Sequence, residues 1–404
     1  MAARLDASSL STYWPVFLWT IMQLACCTAY GRVLSWAVSR ALGITSATGL
    51  RTVRLYGAAC VFQNAVAFLI PITLSLCGEY GASVAQKGGE GKEACEDETI
   101  LFLFLHVVPW AILFWAVQFP ALQRAALITE EEQTSQLPGP EPELVGNTQE
   151  EPQRLRQRVT SADDAIPRAP SFSESLQSIE RHTGAFTVGV PMSLPAQERV
   201  LPSDGLAAMG SRLLAIVVQP NLASLWLGIL VACVAPLQAQ MFGPGSSPLR
   251  VVGQAVRTLG TPAPVIGSII MSCSLAHTMA SPTAGDDVGE AKAHRGGLII
   301  LCLVRLILAP ATGLLLVWAT VTVASGSSPL AGAAQALLPP VPWLRVVVVL
   351  QWAAAPSQTF IVACARVGLG DYAGCLARSY LVVYLASLVT VTGVTMWAVS
   401  NFLQ

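Results

Sequence analysis

Two apolar segments of the 404-residue chain carry amide side chains beside a proline, a combination typical of binding sites inside membranes. In "AACVFQNAVAFLIPITLSLC", Gln63 and Asn64 lie mid-segment and Pro71 follows about two turns later. In "VVVVLQWAAAPSQTFIVACARVG", the polar group consists of Gln351, Pro356, Ser357, Gln358 and Thr359. Proline interrupts the helical hydrogen-bond ladder, so the freed backbone groups need partners from protein or from a water-filled cavity.

One interrupted segment in each half of the chain predicts a binding site near the membrane midplane. The N-terminal ends of the half-helices would present N–H groups and a positive dipole end to an anion. These eight residues are therefore our candidate substrate-binding residues. Amides and proline kinks also occur in ordinary membrane helices, where amides bridge neighbouring helices, so either segment alone is equally compatible with packing.

A charged residue, Arg305, lies mid-segment in "CLVRLILAPATG". A charge at that depth is costly unless it is paired or faces a cavity. Three interpretations stay open: Arg305 attracts an anionic substrate, is a structural partner of helix carbonyls, or extends to the cytosolic side. His106 and His277 stand alone in apolar surroundings, which favours hydrogen-bonded packing over proton relay.

The composition indicates a membrane protein, because 53% of the residues are hydrophobic, 12% are charged and the mean hydropathy is +0.57. Soluble domains carry about 25% charged residues. A spanning helix needs about 20 mostly apolar residues. We predict about eight such spans, at residues 13–38, 52–77, 99–122, 213–236, 250–280, 297–324, 343–366 and 377–402. The predicted fold class is an all-α polytopic membrane protein.

Residues 123–212 differ from the rest, being rich in Glu, Pro, Ser, Gln and Arg. Such a segment cannot bury enough apolar area to offset the entropy of ordering. We expect a disordered loop between an N-terminal half with three helices, 1–122, and a C-terminal half with five, 213–404. Basic residues recur in alternate loops, starting with Arg40 and Arg54, and such loops face the cytosol. The long loop is then cytosolic, and both termini lie on the opposite side.

Signatures of soluble enzymes are absent from the sequence, which contains no GxSxG, P-loop or HExxH pattern. We expect no enzyme activity and no ATP-driven transport within the chain. The ten cysteines lack zinc-type spacing, so no metal site or other cofactor is predicted. A net charge of −1 gives no reason to expect nucleic acid as a partner. The expected partners are a small organic anion, membrane lipid, a second copy of the chain, and a kinase acting on "RAPSFSES" in the central loop.

Several segments of the second half resemble, in order, the auxin efflux carrier superfamily: "QPNLASLWLGILVACVAPLQ", "SPLRVVGQAVRTLGTPAPVIGSIIM", "LVRLILAP" and "LPPVPWLRVVVVLQWAAAPSQT". The resemblance is greatest to the PIN-LIKES (PILS) branch and covers most of residues 210–402. In the first half, "AACVFQNAVAFLIP" resembles the first broken helix of this family.

This resemblance implies a PIN/NhaA-like inverted-repeat transporter fold, in which one broken helix from each repeat crosses at the substrate site. It implies auxin-like organic anions of the indole-3-acetic acid class as substrates, with the carboxylate bound at the crossing. It also implies the endoplasmic reticulum as the location, with lumenal termini. Three helices precede the long loop where the family has five, so the first repeat is expected to be incomplete and to lack its first two helices.

Carried over by position, Asn64 resembles the second asparagine of the family's first broken helix, and Arg305 resembles the arginine of a Val-Arg motif. Pro71 and Pro356 match prolines of the two broken segments. Two family asparagines are missing, since Val61 stands near the position of one and Thr359 at the other.

Cys77 and Cys95 resemble a cysteine pair that flanks the family's loop after the first broken helix. In an oxidising lumen the pair would form a disulfide, and two free thiols are the alternative. The leading functional hypothesis is secondary transport or facilitated movement of auxin-like anions across an intracellular membrane. The alternative is a non-transporting membrane regulator or scaffold that acts through the long loop.

Overall fold

The computed structural model describes residues 14–64, 69–86, 91–136, 234–243, 247–260, 288–327 and 329–403, with a few isolated residues between 223 and 276. Within these residues every regular element is a helix, and extended backbone pairs only in one isolated bridge between Gln63 and Pro356. The chain is an all-α polytopic membrane protein, as the sequence predicted.

The helices are α1 (Pro15–Ala41), α2 (Ala47–Ala59), α3 (Leu69–Gln86), α4 (Gly91–Leu113), α5 (Phe119–Gln136), α6 (Ala235–Phe242), α7 (Leu249–Gly260), α8 (Val288–Cys302), α9 (Ala309–Ser325), α10 (Ala331–Leu337), α11 (Pro342–Ala353), α12 (Thr359–Arg366) and α13 (Gly370–Phe402). Short π-helical turns, Phe114–Gln118 and Leu303–Leu308, join α4 to α5 and α8 to α9. In this part of the chain four continuous rods are long and apolar enough to cross a bilayer: α1, α4–α5, α8–α9 and α13.

Two further segments are broken helices, as the sequence predicted. The first break separates α2 from α3, and the second separates α11 from α12. Pro356 lies inside the second break, where it has no N–H to continue the helical ladder. Pro71 lies instead in the first turn of α3, where a missing N–H costs nothing. A third bend, of 71°, separates α10 from α11 at Pro339 and Pro340.

Helix α11 is the most enclosed element, since every residue from Val346 to Ala353 is buried. It packs against α1, α4, α9 and α13. Its approach to α9 depends on Gly313, because a Cβ atom there would lie 2.4 Å from Cβ of Trp352. Helices α1 and α2 touch in a similar way, and a Cβ atom on Gly31 would lie 2.4 Å from the carbonyl oxygen of Gly57. Such small-residue contacts are typical of membrane helices.

The spans predicted at 13–38, 99–122, 297–324 and 377–402 are all helical, and each helix extends beyond the predicted bounds. The polar ends of these helices add no apolar signal, so hydropathy alone underestimates their length. The broken segments cover the spans predicted at 52–77 and 343–366, and in each of them the helix stops and starts again as expected for an interrupted span.

The spans predicted at 213–236 and 250–280 lie largely outside the described residues. Helix α6 begins at Ala235, near the end of the first, and helix α7 covers the first part of the second. These two helices pack against each other, and Gly253 of α7 lies against the backbone of Met241.

The expectation that a disordered loop begins at residue 123 is wrong for its first turns, because α5 continues to Gln136. The sequence "FPALQRAALITEEEQTSQ" is rich in Ala, Leu, Gln and Glu, all good helix formers, and their propensity outweighs the low hydropathy. The rest of the predicted loop, 137–212, lies outside the described residues.

Helices α3 and α4 are joined covalently by a disulfide between Cys77 and Cys95, whose Cα atoms are 5.7 Å apart. The bond ties the middle of α3 to the N-terminal part of α4.

Candidate functional site

The two helix breaks cross each other through main-chain hydrogen bonds. The N–H of Asn64 donates to the carbonyl oxygen of Ala355 at 2.7 Å, and the N–H of Ser357 donates to that of Phe62 at 2.8 Å. Between these bonds Gln63 faces Pro356 in antiparallel orientation. Backbone groups freed by the two breaks therefore satisfy each other, which is what non-helical backbone in a membrane requires.

Tyrosines of α13 hold this crossing from one side. The hydroxyl of Tyr384 donates to the carbonyl oxygen of Pro356 at 2.7 Å and accepts from Nδ2 of Asn64 at 3.0 Å. One turn earlier, the hydroxyl of Tyr380 donates to the carbonyl oxygen of Ala59, the last residue of α2, at 3.5 Å. Because Tyr384 contacts both breaks, α13 fixes their relative position.

A buried chain of polar side chains runs from α1 through α4 to the crossing. Oγ1 of Thr20 and Nδ1 of His106 are 2.7 Å apart, and Nε2 of His106 is hydrogen-bonded to Nε2 of Gln63. Nε2 of Gln63 also donates to Oε1 of Gln23 at 3.0 Å. Nε2 of Gln23 donates to the carbonyl oxygen of Gln351 at 2.8 Å. This polar chain connects both broken helices to α1.

The positions of the protons follow from these bonds. The Thr20 hydroxyl donates to the carbonyl oxygen of Val16 at 2.9 Å, so its oxygen accepts from Nδ1–H of His106. Nε2 of a neutral His106 is then the acceptor for the Gln63 amide. Both amide hydrogens of Gln63 are thereby used, one on His106 and one on Gln23.

Two polar atoms of the crossing keep unused hydrogen-bonding capacity. Within the described part of the chain, Oε1 of Gln63 and Nε2 of Gln351 are buried without a hydrogen-bond partner. Each such group carries a desolvation cost of about 1–3 kcal/mol, which a polar ligand would relieve. The crossing therefore offers one acceptor and one donor amide group to a bound molecule.

Arg305 is the one fully buried arginine among the described residues, and its side chain is 0% exposed. Its three guanidinium nitrogens have no hydrogen-bond partner in that part of the chain. It lies in the π-helical turn between α8 and α9, which packs against α1 and α13. These two helices carry Gln23 and Tyr384, which bond to the crossing, so Arg305 is linked to it through both. A buried cation without a partner costs several kcal/mol, and an anion entering the crossing would lower that cost.

The N-terminus of α12 is less open to an anion than we expected. The N–H of Thr359 donates to Oγ of Ser357 at 3.3 Å, and the N–H of Phe360 donates to the Ser357 carbonyl oxygen at 3.2 Å. The N–H of Ile361 donates to the carbonyl oxygen of Gln358 at 3.0 Å. Local bonds thus use the first N–H groups of this helix, so the charge of Arg305, which has no hydrogen-bond partner in the described residues, becomes the stronger attraction for an anion.

An aromatic cluster borders the crossing where Phe62 precedes Gln63. The Phe62 ring meets Trp110 and Phe114 edge-on at centroid distances of 5.6 and 5.0 Å. Trp110 and Phe114 stack at 5.3 Å. Nε1 of Trp110 is buried and has no hydrogen-bond partner in the described residues. Phe62 and Phe114 are buried, so Trp110, which is half-buried, is the ring of this cluster that a flat aromatic ligand could contact.

The structure brings most of the predicted site residues to one place: Gln63, Asn64, Gln351, Pro356 and Ser357. Gln358 and Thr359 follow at the start of α12 and are half-buried. Pro71 is exposed on the first turn of α3 and lies apart from the main-chain bonds of the crossing.

Sequence reasoning missed Thr20, Gln23 and Tyr384. Thr20 and Gln23 are three residues apart on α1, a spacing that puts polar groups on the same helix face, and this signal was present in the sequence. Tyr384 gave no such signal, because a tyrosine in an apolar helix is ordinary.

His106 was expected to be a hydrogen-bonded packing residue, and it is bonded on both ring nitrogens. His277 lies outside the described residues. In the described part of the chain no group of His, Cys, Asp and Glu could hold a metal ion.

Two broken helices that cross with buried polar groups at their breaks define a class of membrane protein, the secondary transporters with discontinuous helices. The family model described as membrane transport protein matches residues 13–394, so the chain belongs to this family, that of the auxin efflux carriers. No curated protein and no solved structure matches the chain.

Proposed function

We propose that this membrane transport protein carries auxin-like organic anions, of the indole-3-acetic acid class, across an intracellular membrane. We propose the endoplasmic reticulum membrane as that membrane. The single observation that carries the proposal is Arg305, a buried cation with no hydrogen-bond partner among the described residues. A carboxylic acid is ionised near neutral pH, so the substrate enters as an anion.

In this proposal the carboxylate binds at the crossing, where Arg305 supplies charge and Nε2 of Gln351 supplies a neutral donor. The aromatic ring of the substrate packs against Trp110, the half-buried ring of the aromatic cluster. The other residues of the crossing hold the two breaks in place through their main-chain bonds. Movement of one helix group against another then exposes the site to alternate sides of the membrane.

The test is uptake of labelled indole-3-acetic acid into vesicles that contain the protein, compared with empty vesicles. Arg305→Gln keeps hydrogen-bond donors but removes the charge. A charged hydrogen bond contributes about 1.5–3 kcal/mol, so the half-saturating concentration should rise about 10- to 100-fold. The matched control is Arg345→Gln on α11, which removes another membrane arginine away from the crossing and should change uptake little.

Two further variants locate the site. Asn64→Ala removes the side-chain bond to Tyr384, and Pro356→Ala permits helix to form across the second break. Both should lower uptake while expression stays normal. If vesicles with and without the protein take up equal amounts of indole-3-acetic acid, transport of this anion is excluded. That result would favour the alternative, a membrane regulator that acts through its long loop.

A further inference from the structure

A groove of about 1080 Å³ runs along α1 and reaches Phe62 at the edge of the crossing, while the side chains of the polar chain do not line it. It is lined by α1, by the turn that follows it, by α2 and the start of the first break, and by the end of α4 with the π-helical turn after it. On α1 the lining residues extend from Ile21 to Arg40, which corresponds to about 28 Å of helix, close to the thickness of a bilayer core. Its volume exceeds the range of about 300–1,000 Å³ that is usual for small-molecule pockets.

The two ends of the groove differ in chemistry. One end is apolar and consists of Ile21, Leu24, Val61, Leu113 and Val117. The other end carries three exposed arginines, Arg32, Arg40 and Arg54, with Ser39 and Thr45 between them. No acidic residue is among the residues that line the groove in the described part of the chain. The groove therefore complements a molecule with an anionic head and an apolar tail.

The groove opens sideways toward the surroundings of the helices. Its apolar lining residues Ile21 and Val117 are 48% and 61% exposed, so the apolar end faces outward where acyl chains lie, and Trp36 near the cationic end is 61% exposed. The guanidinium of Arg40 lies 4.7 Å from the ring centre of Trp36. Tryptophan and arginine are enriched at the membrane interface, which puts the cationic end at headgroup level. A water-soluble anion needs an aqueous entrance, whereas a lipid can enter from the bilayer.

We infer that this groove binds an anionic phospholipid, with its phosphate among Arg32, Arg40 and Arg54 and an acyl chain along the apolar end. Basic pockets between membrane helices on the cytosolic side bind such headgroups. The position predicted for Arg40 and Arg54, facing the cytosol, matches that rule. This site goes beyond the proposed transport function, because its cationic end uses neither Arg305 nor the polar residues of the crossing, although Phe62 borders both places.

The experiment measures binding of spin-labelled phosphatidylserine and phosphatidylcholine to the purified full chain in phosphatidylcholine vesicles. We expect a clear preference for phosphatidylserine. Each arginine near the membrane surface contributes on the order of a fivefold gain, so the variant Arg32→Gln/Arg54→Gln should lose about thirtyfold of that preference. The matched control Arg295→Gln/Arg366→Gln removes two exposed arginines outside the groove and should retain the full preference for phosphatidylserine.

A variant that fills the apolar end separates the lipid from a simple ion. Ala25→Trp should weaken binding of both lipids, while inorganic phosphate should not displace spin-labelled phosphatidylserine. The inference is overturned if both lipids bind the native chain equally, or if the control pair loses as much preference as the groove pair. It is also overturned if indole-3-acetic acid displaces the lipid, since the groove would then belong to the substrate path. Unchanged thermal unfolding of each variant without added phosphatidylserine excludes misfolding as the cause.

Discussion

At the scale of single residues, Arg305 poses the sharpest question, because its charge is enclosed and unbonded in the described part of the chain. The sequence left three interpretations open. Extension to the cytosolic side is wrong, because the side chain is fully buried. A bond to helix carbonyls would satisfy the guanidinium, and no such bond exists among the described residues. An anion-attracting role agrees best with both facts.

Stability can separate the remaining interpretations. If Arg305 is an unpaired charge kept for binding, Arg305→Met should stabilise the protein by about 1–4 kcal/mol, since an apolar side chain of similar size carries no desolvation cost. The measurement is thermal unfolding of the detergent-purified protein, with Arg345→Met as the control. A lower unfolding temperature for Arg305→Met would show that Arg305 is a structural partner of the helices.

The second residue-scale feature is the polar chain from Thr20 through His106 to Gln63. His106→Leu leaves the Thr20 hydroxyl and one amide hydrogen of Gln63 without these partners. The free energy of unfolding should fall by about 1–3 kcal/mol. Thr20→Val removes the other end of the bond, so the double variant should be little less stable than His106→Leu alone. If the double-mutant cycle shows that the losses in the free energy of unfolding are strictly additive, the hydrogen bond between Thr20 and His106 is contradicted.

At the scale of elements, the sequence predicted the broken helices more reliably than their details. Mid-segment amides and a proline marked both segments, and both helices stop there. The two prolines play different roles, because Pro356 occupies a break and Pro71 lies in the first turn of α3. The periodicity of apolar residues could not separate these two roles. A proline in an apolar segment is compatible both with a helix break and with the first turn of a new helix. The bonds that join the two breaks span nearly 300 residues of sequence, and such pairing leaves no local signal.

Packing at α11 depends on contacts that composition does not reveal. Gly313 looks like any glycine in an apolar helix, yet it admits the side chain of Trp352. Gly393 on α13 has open space around its Cα atom, since a Cβ atom added there would meet nothing within 4 Å. The two positions therefore form a matched pair for testing how closely α9 and α11 must approach.

We expect Gly313→Ala to destabilise the protein, because the new methyl group would overlap Trp352 and overpacking costs about 1–3 kcal/mol. Gly393→Ala should be neutral or stabilising by up to about 1 kcal/mol, because alanine favours helix over glycine. Thermal unfolding of both variants measures the difference. Equal effects of the two substitutions would mean that α9 and α11 are less closely packed than the structure indicates.

At the scale of the whole molecule, composition and hydropathy were sufficient for the fold class and for the four continuous spans of the described residues. They were insufficient where two tendencies compete. Residues 123–136 are polar but have high helix propensity, and the helix extends through them. The sequence also left the state of Cys77 and Cys95 open, because cysteine spacing alone does not determine pairing. Their bond depends on α3 and α4 lying side by side, which is a property of the folded chain.

The disulfide makes a prediction about the state of the cysteines in the cell. Denatured, unreduced protein should take two fewer maleimide labels than reduced protein, counted by mass shift. Cys77→Ser/Cys95→Ser should abolish this difference, while the control Cys26→Ser should preserve it, since Cys26 is a free thiol. Equal labelling before and after reduction would show two free thiols and contradict the bonded pair.

The same bond leads to an orientation for the whole molecule. Disulfides persist in oxidising compartments, so the part of α3 that carries Cys77 should face the lumen. The turn between α1 and α2, which Arg40 and Arg54 flank, should face the cytosol because basic loops do so. A glycosylation acceptor inserted after Gln86 should therefore be modified in microsomes, whereas the same acceptor inserted after Gly43 should stay unmodified. The reverse pattern would invert the topology and would also turn the cationic end of the α1 groove away from the anionic leaflet, so this measurement bears on the lipid site as well.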